Sequence, residues 1–125
     1  MILLDTSVLV DALTGARRSA AALRRAIEQG ERVLLPALVL YEWLRGPRQR
    51  GELAAQEALF PASTALAFGP AEAARAAQLY VAVPGARGRE IDLAIAACAL
   101  TAGARLWTLN PRDFRDLPDL ELWTV

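Results

Sequence analysis

Four acids stand apart along the chain, each beside apolar neighbours: Asp5 after Leu4, Glu42 between Tyr41 and Trp43, Asp92 between Ile91 and Leu93, and Asp113 before Phe114. Acids gathered in one place repel, and some must take up protons unless a cation neutralises them. The chain has no His, and its one thiol, Cys98, lies in an apolar stretch that reads as core. Histidine-dependent triads, zinc-finger spacings and haem ligation by His are therefore excluded. Chemistry is left to carboxylates, hydroxyls, Arg or a hard metal ion. An all-oxygen site suits Mg2+ or Mn2+. Such a site activates water and neutralises charge on a phosphodiester during in-line displacement.

Whether these acids meet depends on the elements that carry them. Ile2 to Leu4 is a short continuous apolar run and reads as a buried strand. Thr6 or Ser7 can cap a short helix over Val8 to Leu13, closed by Gly15. Ser19 to Gln29 repeats apolar residues at helical spacing and stops at Gly30. Val33 to Leu35 reads as a second strand. Pro36 suits a turn or a first helical position, and Ala37 to Arg45 continues as helix until Gly46-Pro47. Arg48 to Phe60 and Pro70 to Val83 are further helices, joined by Pro61 to Gly69 with an edge strand over Thr64 to Phe68. Pro84 to Gly88 is a loop. Arg89 to Ala102 is a helix ended by Gly103, Arg105 to Leu109 a strand, Arg112 to Phe114 a short helical turn and Leu120 to Val125 a last strand.

Helices of this length between short apolar strands imply right-handed crossovers. The expected architecture is α/β: a mostly parallel sheet of four to five strands with helices on both faces. Ligands of open parallel sheets sit beyond the carboxyl ends of the strands. Asp5 directly follows the first strand, Glu42 lies on the helix after the second, Asp113 follows the third, and Asp92 opens the helix that returns to it. All four are candidates for one edge.

The chain has 125 residues, 54% of them hydrophobic, which fits one domain over residues 1–125 and excludes disorder. All 14 cationic side chains are Arg, balanced by 14 acids. Zero net charge argues against a broadly basic nucleic-acid binder and leaves room for a local basic edge. A single Cys cannot make an intrachain disulfide. The start, Met1 to Asp5, lacks the basic region of a signal peptide, and no apolar run is long enough to span a bilayer. A cytoplasmic protein with no membrane partner is the expectation.

Four motifs in order resemble those of PIN domains. Met1-Ile2-Leu3-Leu4-Asp5-Thr6-Ser7-Val8-Leu9-Val10-Asp11 is similar to their opening motif, and Tyr41-Glu42-Trp43-Leu44-Arg45-Gly46 to the second. Asp92-Leu93-Ala94-Ile95-Ala96-Ala97 with Gly103 resembles the third. Thr108-Leu109-Asn110-Pro111-Arg112-Asp113-Phe114 resembles the terminal motif of the VapC-type toxin branch. The resemblance spans the chain from end to end. It implies a PIN-like fold and a Mg2+- or Mn2+-dependent endoribonuclease, the toxin of a type II toxin–antitoxin pair. Carried over, Asp5, Glu42, Asp92 and Asp113 are the acidic, metal-binding quartet, with Asp5 and Asp92 the most direct ligands. Thr6 and Thr108 orient them or bind water. Asn110 stands where some relatives place an acid, so either Asp113 or Asn110 completes the site. The resemblance also implies an RNA substrate, a cognate antitoxin and a homodimer; the apolar helices Val33 to Leu44 and Ala54 to Phe60 can supply its surface.

Plainer roles stand beside these. Asp5 can be a helix cap, Glu42 a surface acid, Asp92 a helix-dipole partner and Asp113 a structural cap. Asp11 reads as a solvated or turn residue, and Trp43, Trp107 and Trp123 as core or interface. Arg45, Arg89 and Arg112 lie close to the acids in sequence. They are either a solvated face or contacts to substrate phosphates, which Arg binds bidentately. A dehalogenase-type phosphatase needs a second Asp where this chain has Ser7, a phospho-receiver needs a Lys, and the glycine motifs of nucleotide-binding modules do not occur. The alternative function is a catalytically inactive PIN-like protein that acts by binding.

Overall fold

The computed structural model describes all 125 residues. Strand β1 (Ile2–Leu4) is flanked by β2 (Val33–Leu34) and β3 (Arg105–Trp107), in the order β2-β1-β3. Both pairings are parallel, with Leu3 opposite Leu34 on one side and Leu106 on the other. All three residues of β1 are fully buried, so their side chains are covered on both faces of the sheet.

Helices α1 (Thr6–Leu13) and α2 (Ala20–Glu28) connect β1 to β2. Helices α3 (Ala37–Arg45), α4 (Arg50–Leu59), α5 (Pro70–Ala82) and α6 (Glu90–Ala102) connect β2 to β3. The two connections cross the sheet in opposite directions, and right-handed crossovers then put helices on both faces. Helix α6 is apolar on nearly every side, with Leu93, Ile95, Ala96, Ala97, Cys98 and Ala99 all buried. Its run of small residues lets it pack closely against α5, α3 and β3. It ends at Gly103, whose φ of 66° allows the Gly103 and Ala104 amides to bond back to Leu100 and Ala99.

The parallel α/β fold agrees with the sequence expectation; the strand count does not. Three strands form the sheet, and the two expected edge strands shrink to single bridges. Leu66 bridges Pro36, and Leu122 bridges Leu106. Pro61 and Pro70 bound the first segment, while Pro118 and the left-handed Asp119 (φ 64°) precede the second, which leaves little regular backbone to pair. β3 stops at Trp107 instead of Leu109. The amides of Leu109 and Asn110 donate to the hydroxyls of Ser7 and Thr108, not to a neighbouring strand. Helix α1 begins at Thr6, earlier than the expected Val8. The three Trp residues serve packing. Trp43 and Trp107 are buried, and the Trp123 ring lies 4.5 Å from that of Trp107.

Candidate active site

Asp5 leaves the end of β1 and occupies the N-cap position of α1 in extended backbone, yet its side chain does not cap the helix. Its Oδ2 instead accepts hydrogen bonds from the hydroxyls of Thr108, at 2.7 Å, and Ser7, at 3.1 Å. The plain helix-cap role therefore does not describe it. Asp5 is only 6% exposed, and burial pushes its carboxyl above the usual range against the pull of the two hydroxyls and the Thr6 amide. The negative charge of Glu42 adds to the rise.

Glu42 reaches the same edge from α3. Its Oε1 accepts from the Thr6 hydroxyl at 2.6 Å, and its Oε2 faces Arg45 at 3.3 Å. A surface acid would not be tied to the first turn of another helix in this way. Thr6 thus joins α1 to α3, and Thr108 joins the end of β3 to the end of β1.

Asp92 lies on the first turn of α6. Its carboxyl is pushed up to about 6, first by burial and then by the negative charges of Asp5, Asp113 and Glu42, with Arg89 pulling the other way. The four sequence-predicted acids therefore share one electrostatic field. A helix-dipole role alone would lower this pKa, not raise it. Asp113 sits in a 3-10 turn, Pro111–Asp113, beyond β3. It is exposed, and its charge reaches both Asp92 and Arg89. Asn110 is exposed, and its amide bonds to the Thr108 hydroxyl.

The arginines divide. Arg45 pairs with Glu42 and lies over the Tyr41 ring at 5.2 Å. Arg112 is exposed and makes no ion pair. Arg89 is turned inward: it grips the Asp116 carboxylate with two hydrogen bonds and the Asp113 carbonyl with a third. Asp11 stands apart from the site, accepting from Ser19 at 2.6 Å and facing Arg18. The site partnership of two residues was not read from the sequence. Ser7 had a signal, a hydroxyl one residue beyond Thr6 in the opening motif. Asp116 had none, because its partner Arg89 lies on a distant element.

All donors at this edge are hard oxygens, and the nearby arginines do not neutralise them: Arg45 touches only the outer oxygen of Glu42, and Arg89 is matched by Asp116. The mutual repulsion of Asp92 with Asp5, Asp113 and Glu42 is what a divalent cation would relieve. No three of the acids stand close enough together to form a metal-binding group in this structure. The fit lies in the donor type: every candidate ligand is a hard oxygen, and Mg2+ takes one or two carboxylates and keeps several waters.

Comparisons with known proteins agree with this geometry. Residues 2–120 match the model of the PIN domain family. The chain is 38% identical over 125 residues to ribonuclease VapC19 of Mycobacterium tuberculosis, covering 97% of this chain and 98% of the relative. The fold matches a chain of DNA-bound VapBC from Salmonella typhimurium with a TM-score of 0.78 and 20% identity, covering 98% and 96% of the two chains. It also matches VapBC2 from Rickettsia felis, bound to a promoter DNA fragment, with a TM-score of 0.73 and 19% identity over 99% and 100%. With the fold, the acids at the sheet edge and a family match over almost its full length, the chain belongs to the PIN domain family.

Proposed function

We propose that this chain, as a single PIN domain, is an endoribonuclease that hydrolyses RNA phosphodiester bonds with Mg2+ or Mn2+ and is the toxin of a type II toxin–antitoxin pair. The observation that carries the proposal is the set of acids at the ligand edge of a PIN fold, with Asp5 held by Thr108 and Glu42 by Thr6; Asp92 beside them is raised to about 6, first by burial and then by Asp5, Asp113 and Glu42. The identity to a VapC ribonuclease supports the activity.

Asp5 and Asp92 are the ligands that would hold the cation most directly, with Glu42 and Asp113 beside them. Bound there, a divalent ion supplies charge neutralisation at the scissile phosphate and a more acidic water. The chain's own part is to hold the oxygens in place. Thr108 and Ser7 both donate to Oδ2 of Asp5 and so fix the direction of its carboxylate. Thr6 fixes Oε1 of Glu42. Asp113 is the fourth acid of this reading, its charge acting on Asp92, and Asn110 would offer only a neutral amide oxygen. Arg112, exposed beside Asp113, and Arg45 would meet substrate phosphates in this reading.

The antitoxin reading is supported by the toxin–antitoxin complexes among the structural neighbours. The chain also offers an apolar concavity of about 430 Å3 between α1, α2 and α4, with Leu13, Leu23, Ile27 and Leu59 in its wall and Arg17 and Arg24 beside them. Tyr41 and Leu44 on α3 and Leu59 on α4 are exposed apolar residues suited to a homodimer. No helix is long and apolar enough to cross a membrane, and a role on RNA in the cytoplasm is proposed.

The test is cleavage of RNA by the antitoxin-free protein in Mg2+, with Asp5→Ala and Asp92→Ala as comparisons. Cleavage that stops in both variants and in chelator supports the proposal. Full cleavage by both variants, or none by the wild type, overturns it and favours a binding protein. Light scattering that finds only monomer at high concentration would remove the homodimer.

A further inference from the structure

Arg89 was one of three arginines expected to meet substrate phosphates, and its geometry suits a different task. It immediately precedes α6, whose first turn carries Asp92. Its Nη1 donates to Oδ2 of Asp116 at 2.9 Å, and its Nη2 donates to Oδ1 of Asp116 at 2.8 Å and to the carbonyl of Asp113 at 2.7 Å. The side chain is only 23% exposed, compared with 55% for Arg45. A parallel fork of two charge-assisted bonds fixes direction as well as distance. A third bond to a backbone carbonyl fixes the turn itself.

We propose that Arg89 and Asp116 form a strap that positions Asp113 against Asp92, making both of them positioning residues of the carboxylate site. This rests on the metal-dependent nuclease reading above. The segment after β3 needs such a restraint. Its helical turn is only three residues long, and Asp113 is exposed. Phe114 and Leu117 are buried and anchor one side of the segment in the core. The strap holds the other side to the start of α6. Two acids from distant parts of the chain thereby keep a fixed separation before any cation arrives.

The strap also handles charge. A bare guanidinium beside Asp92 and Asp113 would compete with a divalent cation for the same carboxylates. Asp116 accepts two hydrogen bonds from Arg89 and so engages the guanidinium with a carboxylate other than those two. Lys cannot reproduce the arrangement, because an ammonium has no planar fork.

The experiment compares wild type, Arg89→Lys, Asp116→Ala, Asp116→Glu and Asp5→Ala. Mn2+ affinity is measured without RNA by the resonance signal of free Mn2+. Amide hydrogen exchange is followed over residues 111–117, and kcat and KM are measured for RNA across a salt series. The expectation for Arg89→Lys and Asp116→Ala is Mn2+ binding weaker by about tenfold, faster exchange over 111–117, and lower kcat with KM and its salt dependence unchanged. Asp116→Glu recovers part of each loss. Unchanged Mn2+ affinity and exchange in Asp116→Ala overturn the strap, as does an Arg89→Lys variant whose only defect is a higher KM with weaker salt dependence, the signature of a phosphate contact. If the strap alone is wrong, wild type binds Mn2+ and cuts RNA while Asp5→Ala does neither. If wild type also does neither, the nuclease reading falls and takes the strap with it.

Discussion

Asp5 is held almost out of water, and burial alone would favour its protonated form. The Thr108 and Ser7 hydroxyls and the Thr6 amide work against that by donating to the charged form. Thr108 is itself 9% exposed and spends its hydroxyl twice, donating to Asp5 and accepting from Asn110. Thr108→Val keeps the volume and removes both bonds. The loss expected is about 1–3 kcal/mol of stability, read by urea denaturation, together with a 10- to 100-fold fall in metal affinity or cleavage. Asp92 carries a pH dependence whose sign is fixed by its raised pKa. The folded chain binds this proton more tightly than the unfolded chain does, so ionised Asp92 destabilises the metal-free protein above pH 6. Acidification from pH 7 to 5 should therefore raise the melting temperature in chelator, with a gain on the order of 1 kcal/mol after solvent screening of this half-exposed group. Asp92→Asn should be more stable than wild type at pH 7.5 in chelator and should lose the pH effect. A wild-type melting temperature that falls over this range would count against the shared acidic field.

At the scale of elements, the site depends on where short segments stop. β1 ends at Leu4 and puts Asp5 at the edge, while β3 ends at Trp107 because Ser7 and Thr108 capture the next amides. Helix α6 must return to β3 through a tight cap, and Gly103 provides it with a left-handed φ of 66°. A Cβ added there meets nothing within 4 Å, so the cost of Gly103→Ala is conformational rather than steric. The expected loss is ~1 kcal/mol, a drop of a few degrees in melting temperature. The middle of α6 behaves differently. Ala96 is fully buried, and Ala96→Leu should cost ~1–3 kcal/mol by overpacking. Because α6 carries Asp92, that substitution should also lower cleavage at temperatures where the chain is still folded. A leucine accepted with unchanged stability would show that the helix has slack the packing does not suggest.

At the scale of the whole molecule, the site is built from four separate lengths of chain. It gathers like charges that disfavour folding until something neutralises them. A ligand that binds only the folded state stabilises it by mass action. Mn2+ or Mg2+ should raise the melting temperature of wild type at pH 7.5, and much less so at pH 5, where Asp92 is protonated. The rise should vanish in Asp5→Ala. A rise of equal size in Asp5→Ala and Asp92→Asn would place the cation elsewhere. Zero net charge is uninformative about nucleic acid here. It averages an acidic edge with arginines spread over the rest of the surface.

Much of this was legible in the sequence because local physics decides it. Short apolar runs make buried strands, Gly103 ends a helix, and the absence of His leaves hard-oxygen chemistry for the acids. Strand-helix order then sends Asp5, Glu42, Asp92 and Asp113 to one edge, since parallel crossovers are right-handed and strands point the same way. Other features were decided only by tertiary structure. The two expected edge strands became single bridges, because ladder formation needs a partner as well as propensity. Thr108 joined Asp5, and Arg89 joined Asp116, because a hydrogen bond depends on where two distant segments meet. Residue types and their order set which acids could meet. The folded chain determined which hydroxyls and which arginine hold them, since those partners are fixed by three-dimensional distance and not by spacing along the chain.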